Sequence, residues 1–227
     1  MYCPDRTRRQ DRAAIVMFYG YIKNSFDIKT DKFKQRGGEE MYTDKHVQNG
    51  DACGAATLMI ALYEFGLIPK AEVTQVTEKS LYAKTQDNNF LKILGKLFSS
   101  PANIIKTAES KGLTATLYQK DDIAGLPSDI ENMKKAFVDI LKPIQVDTDG
   151  MKNLMDSGSL QILVYVEGDP MKMHWLLMRK DSGKYFIYDT AFGTNDEVNP
   201  EDILVFNANF ITSRQNNFFG VAILLTK

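Results

Sequence analysis

Cysteine and histidine are scarce in this chain: Cys3, Cys53, His46 and His174 are the whole supply in 227 residues. Two cysteines do not make a disulfide framework, so a reducing compartment suits the chain. Two cysteines and two histidines cannot complete a structural zinc site without carboxylates, and neither metal nor cofactor is expected. An excess of either charge is also missing. Lys and Arg number 28 against 29 Asp and Glu, a net charge of −1. That excludes a general attraction to nucleic acid or to an anionic membrane. No apolar run approaches about 18 residues, which excludes a membrane-spanning helix. The apolar stretch 13–19 follows acidic residues and has no small-residue cleavage site after it, so it does not read as a signal peptide. The expected location is the cytoplasm, or outside the cell by an export route that needs no classical signal peptide. Repeats and low-complexity segments are absent.

What is present is ordinary globular material, 44% hydrophobic and 25% charged. Residues 1–45 are polar and mixed, with Arg6, Arg8, Arg9 and Arg12 interleaved with Asp5 and Asp11, and with a loop at Gly37-Gly38. They read as a partly ordered N-terminal extension. Residues 46–227 read as one domain, with no linker to divide them. Apolar spacing places a helix at 52–65, with Leu58, Met59, Leu62 and Phe65 on one buried face. Pro69 opens a helix to about Lys84, and 89–97 gives another. Ser100 and Pro101 begin a helix that Gly112 ends. Ser128 and Glu131 form a capping box for a helix to Leu141, stopped before Pro143, and 150–155 adds a turn or two. Strand signals fall at 114–118, 161–166, 173–179, 184–189 and 220–225. Helices first and strands later predict an α+β fold with antiparallel pairing.

The chemistry-bearing stretch is Gln48-Asn49-Gly50-Asp51-Ala52-Cys53-Gly54. A thiol opening a helix sits beside unpaired backbone N–H groups and the positive end of the helix dipole. Both favour thiolate, the nucleophilic form. Asp51 reads as the N-cap of this helix. Gln48, in a loop entering it, can aim its amide NH2 at the oxyanion that the Cys53 backbone N–H would also face.

A base for this sulfur comes from a distant hairpin. Lys180-Asp181-Ser182-Gly183 is turn chemistry between strands 173–179 and 184–189. With Asp181-Ser182 as a two-residue loop, His174 lies directly across from Asp189. With Ser182-Gly183 as the loop, the two are diagonal neighbours. Either way they share a face, whereas a three-residue loop would separate them. The carboxylate can then fix the imidazole tautomer and leave the other ring nitrogen as base. Singly, each residue has a plainer reading: a packed thiol, a core histidine, a strand end. It is the combination, in this order along the chain, that points to catalysis. His46 is a competing base with no evident carboxylate partner. Trp175, the one tryptophan, projects to the opposite face from His174 into the core, and Tyr185, Phe186, Tyr188 and Phe192 read as sheet packing.

The Cys53 block, continued by Ala55-Ala56 and Leu58-Met59, resembles the nucleophile motif of papain-like cysteine peptidases, in particular the bacteriocin-processing peptidases. His174-Trp175-Leu176-Leu177 leading to Tyr188-Asp189 resembles their second motif. Papain-like bacterial effectors that deamidate glutamine in host proteins are also similar in the His-Trp strand and its spacing to Asp189. The resemblance implies a papain-like fold with the nucleophile helix on a C-terminal antiparallel sheet, and 46–227 as its catalytic domain. It implies Cys53 as nucleophile, His174 as general base, Asp189 as its orienter and Gln48 in the oxyanion hole. The expected activity is amide hydrolysis on a protein or peptide, proteolysis first. The alternatives are glutamine deamidation by an effector or toxin, and an inactive papain-like binding module.

Overall fold

Helix α1 (Cys53–Glu64) is buried on every side, from the thiol to Glu64. It belongs to the computed structural model of this chain, which describes residues 40–88, 97–120, 142–166, 173–204 and 216–227. The helices expected at 89–97 and 128–141, and the expectations for the first 39 residues, lie outside the described residues, apart from Leu97. Gly66, at φ +67°, stops α1. Its N–H donates to Tyr63 O and that of Leu67 to Leu62 O, which satisfies carbonyls of the last turn.

The helix expected from Pro69 is divided. A 3-10 turn, Lys70–Glu72, comes first, and α2 (Gln75–Thr85) follows. Thr74 causes the break: it is extended, and its side chain accepts from Thr77 N at 3.3 Å, so the helix restarts there. Two short strands, β1 (Gln86–Asp87) and β2 (Phe98–Ser99), pair antiparallel. Helix α3 (Pro101–Ser110) starts as expected, with Ser100 Oγ accepting from Asn103 N, and Gly112 at φ +91° follows it.

Strands β3 (Thr114–Lys120), β4 (Ile144–Val146), β5 (Ser159–Val166), β6 (Met173–Asp181), β7 (Lys184–Asp189), β8 (Thr194–Val198) and β9 (Asn216–Thr226) form one seven-stranded sheet, ordered β4-β3-β9-β5-β6-β7-β8. All its pairings are antiparallel except β3 with β4. The architecture is the expected α+β one, with a single parallel exception. Between β4 and β5, α4 (Thr148–Leu154) starts two residues earlier than expected because Asp147 Oδ1 caps Gly150 N at 2.7 Å. A single turn, α5 (Pro200–Ile203), follows β8. Strand β9 starts before Gly220, not at it. Its register against β5 shifts between Leu163↔Val221 and Val164↔Phe218, and Gly220 at φ +81° sits in that shift. The glycine marks a bulge within the strand.

The central strands are buried on both faces. Leu163, Trp175, Leu177, Val221 and Ile223 join α1 in one core. Leu160, Ile162, Val164, Leu176 and Met178 join Met151, Met155 and Ile203 in another. Near-continuous apolar runs in β5, β6 and β9 follow from this. Elements β2, β5, β6, α2 and α3 all pack on α1, and so it shows no polar face, contrary to the one-faced stripe its spacing implies. Among the described residues no helix is long and apolar enough to cross a membrane.

Candidate active site

Cys53 opens α1 and is 3% exposed. Ala52 stands at the N-cap and offers no side-chain acceptor. Asp51 is therefore not the cap; it lies one residue too early, exposed, in the turn made by Gly50 at φ +59°. The first turn is fixed from beneath. Thr57 Oγ1 donates to Cys53 O at 2.8 Å, and Gln161 Nε2, from the central strand β5, donates to Thr57 Oγ1 at 2.6 Å and Gly54 O at 3.0 Å. Gly54 allows Ser99 and Trp175 to pack against the helix start. A Cβ there would stand 2.5 Å from Ser99 Cβ and 2.9 Å from Trp175 Cδ1. Trp175 is fully buried, as its place on the strand implies, and donates to Ser99 O at 3.0 Å.

In the β6–β7 hairpin Asp181 pairs with Lys184, which leaves Ser182-Gly183 as a two-residue loop. Both loop residues have positive φ, +49° and +82°, the conformation of a type I′ turn. This is the second of the two even registers, and His174 and Asp189 are diagonal. The ladder ends at Leu177↔Tyr188, so the strands part beside His174. His174 Nε2 lies 2.7 Å from Asp189 Oδ1, both residues buried. The same oxygen accepts from Ala191 N at 2.9 Å. Gly193, at φ +64°, closes the turn after Asp189, its N–H on Asp189 O at 2.8 Å.

The Cys53 side chain stands near enough to the His174 ring to act on its titration. With Nε2 held by Asp189, Nδ1 is the nitrogen left for the sulfur. Burial on its own would lower the imidazole pKa. The hydrogen bond to Asp189 and the influence of Cys53, with the charges of both, outweigh it and push the pKa up to about 10. The structure thus brings together a helix-start thiol, an imidazole and a buried carboxylate.

Gln48 is tied to Thr190, the residue after Asp189. Its N–H donates to Thr190 O at 2.8 Å, and its Oε1 accepts from Thr190 Oγ1 at 2.6 Å. Its Nε2 donates to Gly50 O at 2.7 Å, which spends one amide proton within the loop.

No family model matches this chain, and no curated protein matches it. Several solved structures are similar to it. One is a double-glycine-motif protease from an AMS/PCAT transporter in complex with the leader peptide, at 16% identity and TM-score 0.41, covering 86% of this chain and 96% of that one. Another is the Pseudomonas avirulence protein AvrPphB, at 10% identity and TM-score 0.36, covering 80% and 97%.

One neighbour of the site carries no sequence signal of its own. Tyr82, on α2, has its phenol pKa raised by burial and then by the charges of Asp51 and Cys53. Its OH donates to Leu97 O at 3.2 Å. His46 does have a carboxylate partner, contrary to the sequence reading. Its Nε2 lies 2.5 Å from Glu78 Oε2, and the partner escaped notice because it stands 32 residues away on α2. Among the described residues, no three of His, Cys, Asp and Glu gather as a metal site would require.

Proposed function

We propose that this chain is a papain-like cysteine hydrolase that cleaves an amide bond in a protein or peptide. One observation supports the reading: the His174–Asp189 pair, at the parted ends of a hairpin, acts electrostatically with the Cys53 side chain at the start of a buried helix. An imidazolium beside the sulfur is the partner a thiolate needs. In the first half-reaction the Cys53 thiolate attacks the carbonyl carbon, and the backbone N–H groups at the uncapped start of α1 take the oxyanion. Gln48 adds the amide N–H not used on Gly50. The C–N bond then breaks as His174 gives its proton to the leaving amine, and a thioester remains. In the second, water attacks the thioester and His174 takes up its proton. The C–S bond breaks, with Cys53 leaving as thiolate and an acid as the product. Asp189 holds the ring throughout.

The leaving group separates proteolysis from deamidation, since a peptide amine and the ammonia of a glutamine leave by the same steps. Proteolysis is the reading preferred here, and the deamidating effector is its rival. Iodoacetamide labelling at about pH 6 tests the common chemistry. Cys53 should react at least about tenfold faster than an ordinary thiol, and His174→Ala should remove the excess. Ordinary labelling in the wild-type chain would mean a binding module on the same fold. Mass spectrometry of a polypeptide incubated with the enzyme decides the leaving group: backbone fragments for a protease, glutamine converted to glutamate in an intact chain for a deamidase.

A further inference from the structure

Helix α2 is mostly solvated, and only Glu78, Leu81 and Thr85 along it are buried. A carboxylate in one of these three positions costs desolvation that a leucine would not. What Glu78 binds in return is the segment between His46 and Asn49. Its Oε1 accepts from Asn49 N at 2.7 Å and its Oε2 from His46 Nε2 at 2.5 Å. One turn earlier Gln75 Nε2 donates to Val47 O at 2.6 Å. The other edge of the segment is tied to the end of β7. His46 N donates to Tyr188 OH at 2.8 Å, and Gln48 N to Thr190 O at 2.8 Å. Gln48 therefore sits in a strap of four residues with α2 on one side and the Asp189–Thr190 corner on the other.

We propose that Glu78, through His46 and the Asn49 N–H, is a positioning residue that holds the Gln48 strap at the distance from Cys53 that oxyanion binding requires. Glu78 is 1% exposed and His46 7% exposed, so the clamp is shielded from competing water. It rests on the hydrolase reading above. Glu78 bonds to His46 and Asn49, and its effect falls on the oxyanion alone.

Two probes separate this role from general stability. Acylation of Cys53 by p-nitrophenyl acetate passes through a tetrahedral oxyanion, whereas alkylation by iodoacetamide does not. In Glu78→Ala the p-nitrophenolate burst should slow about 10- to 100-fold, the range set by losing or misplacing one oxyanion donor by an ångström. Alkylation of Cys53 should stay within about twofold of wild type, because the thiol–imidazole pair is untouched. Glu78→Asp, too short to reach both partners, should show the same split at smaller size, and it serves if the alanine variant does not fold. Glu78→Gln should recover acylation, since its amide oxygen accepts from Asn49 N and its NH2 can donate to the other tautomer of His46. Undiminished acylation in both Glu78→Ala and Glu78→Asp overturns the clamp, and so does a parallel loss of acylation and alkylation. A wild-type Cys53 that is neither acylated nor rapidly alkylated overturns the hydrolase reading, and the clamp with it.

Discussion

At His174 two effects of opposite sign meet in one ring. Burial favours the neutral imidazole, whereas Asp189 and Cys53 favour the cation and prevail, raising the pKa to about 10. An unfolded histidine titrates near about 6.5. The folded state therefore holds a proton that the unfolded chain releases between those values. The stability this confers is complete below about pH 6.5 and is lost as pH rises through about 10. Wild-type protein should accordingly show a urea midpoint that declines from about pH 7 to about pH 10. In Asp189→Asn the charged partner is gone, the imidazole pKa falls, and the decline should move to lower pH and flatten. A variant midpoint that falls as steeply, over the same range, would place the linkage elsewhere. The same substitution should leave less imidazolium beside Cys53 at about pH 8, and iodoacetamide labelling should slow in proportion.

Among the elements, α1 shows how close packing sets the nucleophile's position. Helix propensity by itself would make Gly54→Ala stabilising by about 0.5–1 kcal/mol. Sterics reverse the sign. The new Cβ would meet Ser99 Cβ at 2.5 Å and Trp175 Cδ1 at 2.9 Å, and neither neighbour is free to yield, since both are fully buried and bonded to each other. Overpacking of this kind costs about 1–3 kcal/mol, and the net result should be a lower urea midpoint, with slower Cys53 labelling as the helix start is displaced. A raised midpoint would show that the interface can open. Elements with local signals were readable in advance. The Gly66 stop of α1, the Ser100-Pro101 start of α3 and the Ser182-Gly183 turn each encode their geometry in adjacent residues. Because the strand period is two, the same turn also made the His174–Asp189 proximity readable. Elements fixed by distant partners were not. Strand β8, Thr-Asn-Asp-Glu-Val, is polar and forms only because β7 offers an edge. The His46–Glu78 pair joins elements 32 residues apart with no pattern between them. Gly220 punctuates β9 as a bulge, although a glycine read locally ends a strand. For Gln48 the sequence carried a place in the loop before α1 but not its bonds to Gly50 and Thr190, which depend on how the loop meets the β7 corner.

Across the whole molecule, one buried ion pair ties the far end of α1 to the sheet that carries the site. Arg179, on β6, is fully buried; it donates to Glu64 and to Asn195 on β8, and its guanidinium stands 5.6 Å from the Tyr188 ring centroid. Glu64 also accepts from Tyr42 N at 2.9 Å, and so the segment before the Gln48 strap is drawn into the same cluster. The pair is not fully satisfied. Glu64 Oε2 and Arg179 Nε have no hydrogen-bond partner among the described residues. Its net contribution to stability is therefore small, but each half depends on the other. Burial raises the Glu64 pKa, and the Arg179 charge is the main influence opposing it. Arg179→Met should remove that opposition and leave a buried carboxylate alone, at a cost of about 3–5 kcal/mol near neutral pH. The sign of the pH dependence follows. A carboxyl whose folded pKa is raised further takes up a proton on folding, so the variant should regain stability as pH falls through that value, more steeply than wild type. Glu64→Gln combined with Arg179→Met removes both charges and should cost much less than the arginine substitution alone, a coupling that urea denaturation of the four proteins measures as a double-mutant cycle. Strict additivity would mean that the two groups do not stabilise one another. Labelling of Cys53 at about pH 6 in the folded double variant should match wild type, because the cluster acts on how firmly α1 is seated and not on the proton held at His174.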